Sequence, residues 1–125
     1  MIKSLTILGT EYAVELKAYG DDPYFKAHDC CGYCDAMCHR IVVCDTHTYP
    51  DEMGEAWAIE SEEFHEKTMK ATLRHEIVHA YFDESGLQDC AAQYDGPYTK
   101  FEELIDWVAI QGPKIYQTWK EADAL

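Results

Sequence analysis

The chain has 125 residues, 47% of them hydrophobic, and contains no internal repeat or low-complexity tract. This length predicts a single globular domain over residues 1–125 and disfavours a two-domain enzyme. The 24 acidic residues against 10 basic ones give a net charge of -14, which excludes nucleic acid and anionic membrane surfaces as partners because like charges repel. We therefore expect protein, peptide or metal partners.

The N-terminal segment "MIKSLTILGTEYAVELK" carries an apolar run that is far too short to span a bilayer. Lys3 alone makes a poor positively charged region for a signal peptide. We therefore expect a cytoplasmic protein with no membrane partner.

The first third of the chain has the alternation typical of strands. The segments "SLTILG" and "YAVELKAY" lie on either side of Gly9-Thr10 and predict a β-hairpin. The segment "HRIVVCDT" is β-branched at three consecutive positions and is followed by the turn-rich "THTYPDEMG", so it is the third strand candidate.

Helical spacing begins at about Ser61 and continues to Ser85, where Gly86 is well placed as the residue after the C-cap. The apolar stripe of this helix consists of Met69, Leu73, Ile77, Ala80 and Tyr81. A second helix is expected to start near "DGPY", with Pro97 in its first turn, and to end at Gln111 before Gly112-Pro113. The segment "KIYQTWKEADAL" then predicts a short terminal helix.

Five of the six cysteines are concentrated in "DCCGYCDAMCHRIVVCD", between positions 30 and 44. Without a signal peptide they are expected to be thiols or metal ligands rather than a disulfide framework. One interpretation is reduced thiols near a turn and a strand. The other is a structural metal site in which Cys31 and Cys34 have zinc-knuckle spacing. Its remaining ligands would come from Cys38, His39 or Cys44, with Cys30 adjacent. Redox activity of the C-x-x-C pair is the least favoured interpretation, because no βαβ pattern surrounds it.

The segment "TLRHEIVHAYFDESG" has the most specific chemistry in the chain. His75 and His79 are four residues apart, so on a helix both rings lie on one face and can converge on one cation. This spacing suits tetrahedral zinc. Glu76, which follows the first histidine, is then placed beside a zinc-bound water as its general base. The competing interpretation is that both histidines simply face solvent on an amphipathic helix.

A third ligand would separate these two interpretations. In "FEELIDWVA", Glu102 is followed four residues later by Asp106. Glu102 is the predicted zinc ligand, and Asp106 is the predicted acceptor for the second ring nitrogen of a ligand histidine. The buried stripe of this helix is expected to comprise Phe101, Leu104, Ile105 and Val108. That stripe places Glu102 at its flank and Glu103 nearly opposite, and Glu103 is the alternative ligand.

The combination of "HEIVH" on one helix with "EELID" on the next resembles the gluzincin class of zinc metallopeptidases. The short chain, "LRHEIVHAYFDESGL" and "EELIDWVA" are most similar to the small ImmA/IrrE-type peptidases of bacteria, phages and mobile elements. The resemblance covers roughly residues 65 to 111. The chain departs from the family at Val78, where a glycine is common, and in "LIDWVA".

The resemblance implies an α+β, zincin-like fold: a small twisted sheet packed on the HExxH helix and on a second, ligand-bearing helix. It also implies a zinc-dependent endopeptidase whose substrate is a protein or peptide, including regulatory proteins. The extended substrate is expected to pair with the edge strand beside the cleft, for which "RIVVC" is the candidate. The alternative function is a non-catalytic, zinc-binding protein-interaction module. Candidate donors to the tetrahedral oxyanion are Tyr94, Tyr98, Tyr116 and His65.

Overall fold

The computed structural model of the protein describes residues 3–50, 61–90 and 102–125. The strands in these ranges are β1 (Ser4–Ile7), β2 (Thr10–Ala18), β3 (Gly32–Asp35) and β4 (Arg40–Asp45). The helices are α1 (Pro23–His28), α2 (Glu62–Glu84), α3 (Leu87–Cys90) and α4 (Glu102–Glu121). The expected α+β class is confirmed at this level.

The strands form one sheet in the order β1-β2-β4-β3. β1 and β2 are an antiparallel hairpin, as predicted, and its two-residue turn is made by Leu8 and Gly9, both with positive φ. This backbone matches the type I′ turn that suits the twist of paired strands. β3 and β4 form a second antiparallel hairpin, and the two hairpins are joined by parallel pairing of β2 with β4.

Two elements between β2 and β4 were not predicted from the sequence. Helix α1 is short but well capped: the Asp22 carboxylate accepts the Tyr24 N–H, Pro23 occupies the first turn, and Asp29 ends the helix in the left-handed conformation. Strand β3 has only four residues, "GYCD". Glycine and aspartate are depleted in strands, so the β-propensity of these four residues did not indicate a strand.

The larger core lies between the sheet and helices α2 and α4. Its sheet side is formed by alternate residues of β1, β2 and β4, such as Ile7, Val14 and Val43. A smaller apolar cluster of Phe25, Val42 and Cys44 covers the opposite face of the sheet, where α1 packs. The sheet therefore has one face under the long helices and the other under the short helix.

Helix α2 agrees closely with its prediction. The Ser61 side chain accepts the N–H of Phe64 as an N-cap, and Gly86 with positive φ follows the C-cap Ser85. In the predicted stripe, Met69 is partly buried against the core. Its other members, Leu73, Ile77, Ala80 and Tyr81, are buried.

The predicted stop at Gly112-Pro113 is wrong, because α4 continues through both residues and includes the segment that was expected to form a separate helix. Buried contacts after the proline favour continuity: Ile115 is buried, and the Thr118 hydroxyl hydrogen-bonds the Tyr81 hydroxyl at 2.7 Å. Gly112 also lacks the Cβ that would meet the proline ring in a helical conformation. The predicted start near Pro97 lies outside the described residues.

Candidate metal centre and cleft

His75 and His79 lie one turn apart on α2, and their rings turn toward each other. Their Nε2 atoms are 3.1 Å apart and their ring centroids are 4.8 Å apart. Two nitrogens bound to one tetrahedral zinc at about 2.0–2.1 Å would be separated by about 3.3 Å. The two imidazoles are therefore arranged as a pair of ligands to one ion would be, and both are exposed to the cleft.

Glu76 is the buried member of this group. A carboxylate oxygen of Glu76 and the ligand nitrogens of both histidines all lie within 4.8 Å of one another. Removal of the carboxyl from water raises the pKa of Glu76 to about 7. Partial burial and the neighbouring His75 lower the pKa of His79, which favours its neutral, metal-binding form.

The group opens into a cleft of about 750 Å³ between α2 and strand β3. From α2 the walls include Thr72, Asp83 and the His-Glu-His group, and from the other side they include Tyr33 and Cys34 of β3. Among the described residues that line the cleft there is no lysine or arginine. The cleft therefore offers imidazole, carboxylate and thiol groups, all of which are potential metal ligands.

Strand β3 is held very close to α2 at Gly32. A Cβ built on Gly32 would lie 2.6 Å from Thr72 Cγ2 and 2.8 Å from the Val42 carbonyl oxygen. It would lie 3.5 Å from Glu76 Cγ, an ordinary contact. Only glycine fits at this position, and its presence allows the strand to form the wall of the cleft directly beside Glu76.

The expected edge strand is wrong. "RIVVC" falls in β4, which pairs with β2 on one side and β3 on the other, and its residues from Ile41 to Cys44 are buried. A continuous β-branched run is typical of such an interior strand, covered on both faces. The edge beside the cleft is β3, which pairs only with β4 among the described strands.

The predicted third ligand is not brought to the histidines. Glu102, Glu103 and Asp106 are exposed on α4, and none of them belongs to the group formed by His75, Glu76 and His79. The expected burial of Val108 is wrong, because this side chain is 54% exposed. Leu104 of the predicted stripe is partly buried, as are Trp107 and Gln111, while the side chains of Phe101 and Ile105 lie outside what the structure describes. The Trp107 indole donates to the Ser85 hydroxyl at 3.0 Å.

Strand geometry separates Cys31 from Cys34. Cys34 packs with the α2-side core, whereas Tyr33 packs against the opposite cluster with Phe25. Cys31, two residues before Tyr33, shares its face because side chains alternate along a strand. Among the described residues, no group of three or more potential ligands close enough to share one ion includes Cys31 or Cys34, so the zinc-knuckle interpretation is not supported.

The two candidate oxyanion donors that the structure describes, His65 and Tyr116, do not line the cleft. His65 is buried, and its Nδ1 hydrogen-bonds the Thr46 hydroxyl at 2.7 Å. Tyr116 is 54% exposed on α4, and Tyr94 and Tyr98 lie outside the described residues. Neither His65 nor Tyr116 is among the residues that line the cleft.

Two cleft residues, Cys34 and Asp83, were not singled out from the sequence as members of this site. Asp83 follows His79 by four residues, so the same helical spacing that identified the histidines could have identified it. Cys34 had no comparable signal, because its approach to α2 depends on the unpredicted strand β3.

Comparisons with protein-family models, with curated proteins and with solved structures found no match for this chain. The likeness to the ImmA/IrrE-type peptidases therefore rests on the residues of "HEIVH" and "EELID" themselves. In the described parts of the chain, no helix combines the length and the apolar character needed to cross a lipid bilayer.

Proposed function

We propose that this protein is a cytoplasmic zinc-dependent endopeptidase with a zincin-like active site. The observation that carries the proposal is the pair of Nε2 atoms 3.1 Å apart beside the buried Glu76, facing a cleft walled by an edge strand. An amphipathic helix with two solvent-facing histidines does not require a buried glutamate between them. The combination of ligands, base and cleft is what metal-assisted hydrolysis requires.

His75 and His79 would hold the metal through Nε2, since a neutral imidazole nitrogen is a suitable zinc donor. Bound zinc supplies a water of lowered pKa and polarises a carbonyl group. Two histidines alone make an incomplete set, because catalytic zinc commonly has three protein ligands. Glu102 is proposed as the third, with Glu103 as its alternative and Asp106 supporting a histidine. Asp83, which lines the cleft, is a further acidic candidate.

Glu76 acts as the general base in this proposal. Its carboxylate oxygen would accept a proton from the attacking water and deliver it to the nitrogen of the leaving amine. The burial of Glu76 against β3 restricts its side chain and keeps bulk water away from the carboxylate. A carboxylate held in one position in this way transfers protons to and from the reacting groups in preference to exchanging them with solvent.

The substrate would lie extended along β3. A peptide in that position adds a strand to the sheet by main-chain hydrogen bonding, and the side chains of alternate residues point toward α2. Such pairing recognises backbone rather than one particular side chain, so we propose a protein or peptide substrate. The net charge of -14 and the absence of lysine and arginine from the described cleft lining favour neutral or basic substrate segments.

The proposal is tested with Glu76→Gln and a matched control, Glu66→Gln, which alters an exposed glutamate of the same helix. Zinc content is measured by elemental analysis, and cleavage is measured by mass spectrometry on a peptide library prepared from denatured casein. We expect about one zinc per chain in all three proteins. We also expect cleavage by wild type and Glu66→Gln, and a loss of at least about 100-fold in Glu76→Gln.

Three outcomes would contradict the proposal. Zinc well below one equivalent that added zinc does not restore would remove the metal centre. Full zinc binding without cleavage of any library peptide by wild type would favour the alternative, a non-catalytic zinc-binding module. Equal cleavage by Glu76→Gln and Glu66→Gln would remove Glu76 from its role.

The third ligand is assigned by a second set of variants: Glu102→Ala, Glu103→Ala and Asp83→Ala. Zinc affinity is measured by competition with a chromophoric chelator. Loss of the true ligand leaves two histidines and should abolish tight binding, whereas an exposed, non-ligating carboxylate should cost little. Asp106→Asn should weaken binding by about 10- to 100-fold if that residue supports a ligand histidine.

A further inference from the structure

Cys31 and Cys44 are opposed just beyond the last residue pair of the second hairpin. Gly32 pairs with Val43 in the antiparallel register of β3 and β4, so the next pair outward is Cys31 with Cys44. The Cys44 N–H donates to the Cys31 carbonyl at 2.8 Å, which extends the ladder by this pair. The two cysteines are therefore cross-strand neighbours, although 13 positions separate them in the chain.

The backbone at such a pair lies near the geometry of a disulfide. Hydrogen-bonded antiparallel pairs have Cα atoms about 5.5 Å apart, and disulfides most often join Cα atoms about 5.5–6 Å apart. Directly opposed Cβ atoms lie about 4.5–5.5 Å apart, slightly beyond the range of about 3.5–4.5 Å in disulfides. Closure needs a small inward shift, and Cys31 lies just outside the first residue of β3, where the chain is less constrained.

The two thiols lie on the same face of the sheet. Cys44 is fully buried in the cluster with Phe25 and Val42. The side chain of Tyr49, which packs on that cluster, contacts the Cys31 thiol. Burial is the main cause that raises the pKa of the Cys44 thiol, to about 12, and the neighbouring Cys31 contributes in the same direction. The pair thus combines one shielded thiol with one at the border of the cluster.

Cys31 is the more accessible residue of the pair. It is partly exposed and lines the cleft, whereas Cys44 is 0% exposed. A small disulfide in solution can approach Cys31 from the cleft side. Cys44 can be reached only by a sulfur already attached at a neighbouring position.

We propose that Cys31 and Cys44 form a reversible cross-strand disulfide by exchange with a small-molecule disulfide such as oxidised glutathione. The Cys31 thiolate attacks one sulfur of oxidised glutathione, the sulfur–sulfur bond breaks, and one glutathione thiolate leaves. The Cys44 thiolate then attacks the Cys31 sulfur of this mixed disulfide and releases the second glutathione. Two protein thiols are oxidised, one oxidised glutathione is reduced to two thiols, and the two protein protons pass to the glutathione thiolates.

The other thiols are less suitable partners for Cys44. Cys34 lies on the α2 side of the sheet, and Cys38 is exposed in the turn of the hairpin, where its N–H bonds the Asp35 carboxylate. Cys30 packs against the same cluster as Cys44 and is the real competitor. Unlike Cys31, Cys30 has its N–H bonded to the Phe25 carbonyl at the end of α1 and has no partner residue in the β4 register.

The sequence allows a direct test. Trypsin cleaves after Lys26, Arg40 and Lys67, so Cys44 falls in the peptide 41–67 and the cysteines of the β3 region fall in the peptide 27–40. The folded protein is incubated with oxidised glutathione, the remaining thiols are alkylated, and the digest is analysed by mass spectrometry without reduction. We expect these two peptides to be joined, with fragmentation assigning the bond to Cys31, and the titratable thiols to fall by two from the six of the chain.

The matched variants are Cys31→Ser, which removes the thiol opposed to Cys44, and Cys34→Ser, which removes a nearby thiol on the α2 side of the sheet. The cross-link should persist in Cys34→Ser, disappear in Cys31→Ser, and be reversed by reduced glutathione in the wild type. A cross-link that survives in Cys31→Ser, or that depends on Cys30 in a Cys30→Ser variant, would overturn the assignment. So would a folded wild type that gives no cross-linked peptide or carries only a lasting glutathione adduct. None of these readouts uses zinc or peptidase activity, so the result is independent of the proposed function.

Discussion

Replacement of Gly32 by alanine tests the close contact between β3 and α2. The new methyl group would lie 2.6 Å from Thr72 Cγ2 and 2.8 Å from the Val42 carbonyl oxygen, whereas comfortable carbon contacts are about 3.5–4.0 Å. Thr72 cannot simply turn away, because its hydroxyl bonds the Thr68 carbonyl at 3.0 Å and fixes the rotamer. The Val42 oxygen belongs to the interior strand β4. Relief therefore requires β3 to move away from α2.

Overpacking of a close-packed interior costs about 1–3 kcal/mol, and two contacts this short place Gly32→Ala near the upper end. Alanine also has less conformational freedom than glycine in the unfolded chain, which stabilises the folded state by about 0.4–1 kcal/mol. We therefore expect a net loss of about 2 kcal/mol in the free energy of unfolding. At about 4 °C per kcal/mol for a domain of this size, the midpoint of thermal unfolding should fall by about 8 °C.

Gly20→Ala is the matched control, since an added Cβ at Gly20 meets nothing within 4 Å and the residue does not have positive φ. It should change stability by no more than about 0.5 kcal/mol, or raise it slightly. Urea unfolding followed by circular dichroism measures both variants, and an unchanged m-value would show that the unfolded states are comparable. Equal stability of Gly32→Ala and Gly20→Ala would refute the reasoning, because it would mean that β3 is not clamped against α2.

Other variants probe ionisation and helix continuity. The hydrogen bond from Thr10 lowers the pKa of Glu84. The ionised carboxylate therefore stabilises the folded state fully above the unfolded-state pKa, and this contribution is lost as pH falls through the lower folded-state pKa. Glu84→Gln should flatten the acid side of the profile of unfolding free energy against pH, measured by urea unfolding. The Glu62 carboxylate raises the pKa of His47. The protonated imidazole therefore stabilises the folded state fully below the ordinary histidine pKa, and this contribution is lost as pH rises through the raised folded-state pKa. Glu62→Gln should lower the pKa of His47 in an NMR titration and reduce the loss of stability over that pH range. Pro113→Ala should raise the free energy of unfolding, measured by urea unfolding, by about 1–3 kcal/mol, because it restores a backbone N–H donor inside a continuous helix. A lower free energy of unfolding would contradict the continuity of α4 through this position.

The parts of the fold that could be predicted are those with a local cause. Ser61 and Gly86 mark the ends of α2 through capping and backbone freedom, which depend on residues within one turn. The first hairpin was predicted for the same reason, although its turn is one residue earlier than expected. Strand β3 exists because it pairs with β4 and packs on α2, and neither contact leaves a periodic pattern in four residues.

The candidate metal centre divides in the same way. His75, Glu76 and His79 come together through helical spacing alone, so the sequence was enough to group them. A third ligand depends on how α4 is rotated against α2. The expected rotation was based on Phe101, Leu104, Ile105 and Val108. Val108 is exposed, whereas Trp107 packs inward and reaches both the Phe82 ring and the Ser85 hydroxyl. Such a choice between apolar neighbours is made by tertiary packing, which hydrophobic periodicity does not resolve.

The parallel pairing of β2 with β4 has a consequence for the order of folding events. Each hairpin closes over a short loop, which is fast, whereas β2 and β4 meet only after the whole chain between Ala18 and Arg40 has been brought around. Docking of the two hairpins should therefore be the slow step, and amides at this central pairing should exchange with solvent only on global unfolding. β3 contributes to none of these central bonds and can open on its own at lower free energy. The wall of the cleft can thus open at a lower free energy than the central pairing of β2 with β4.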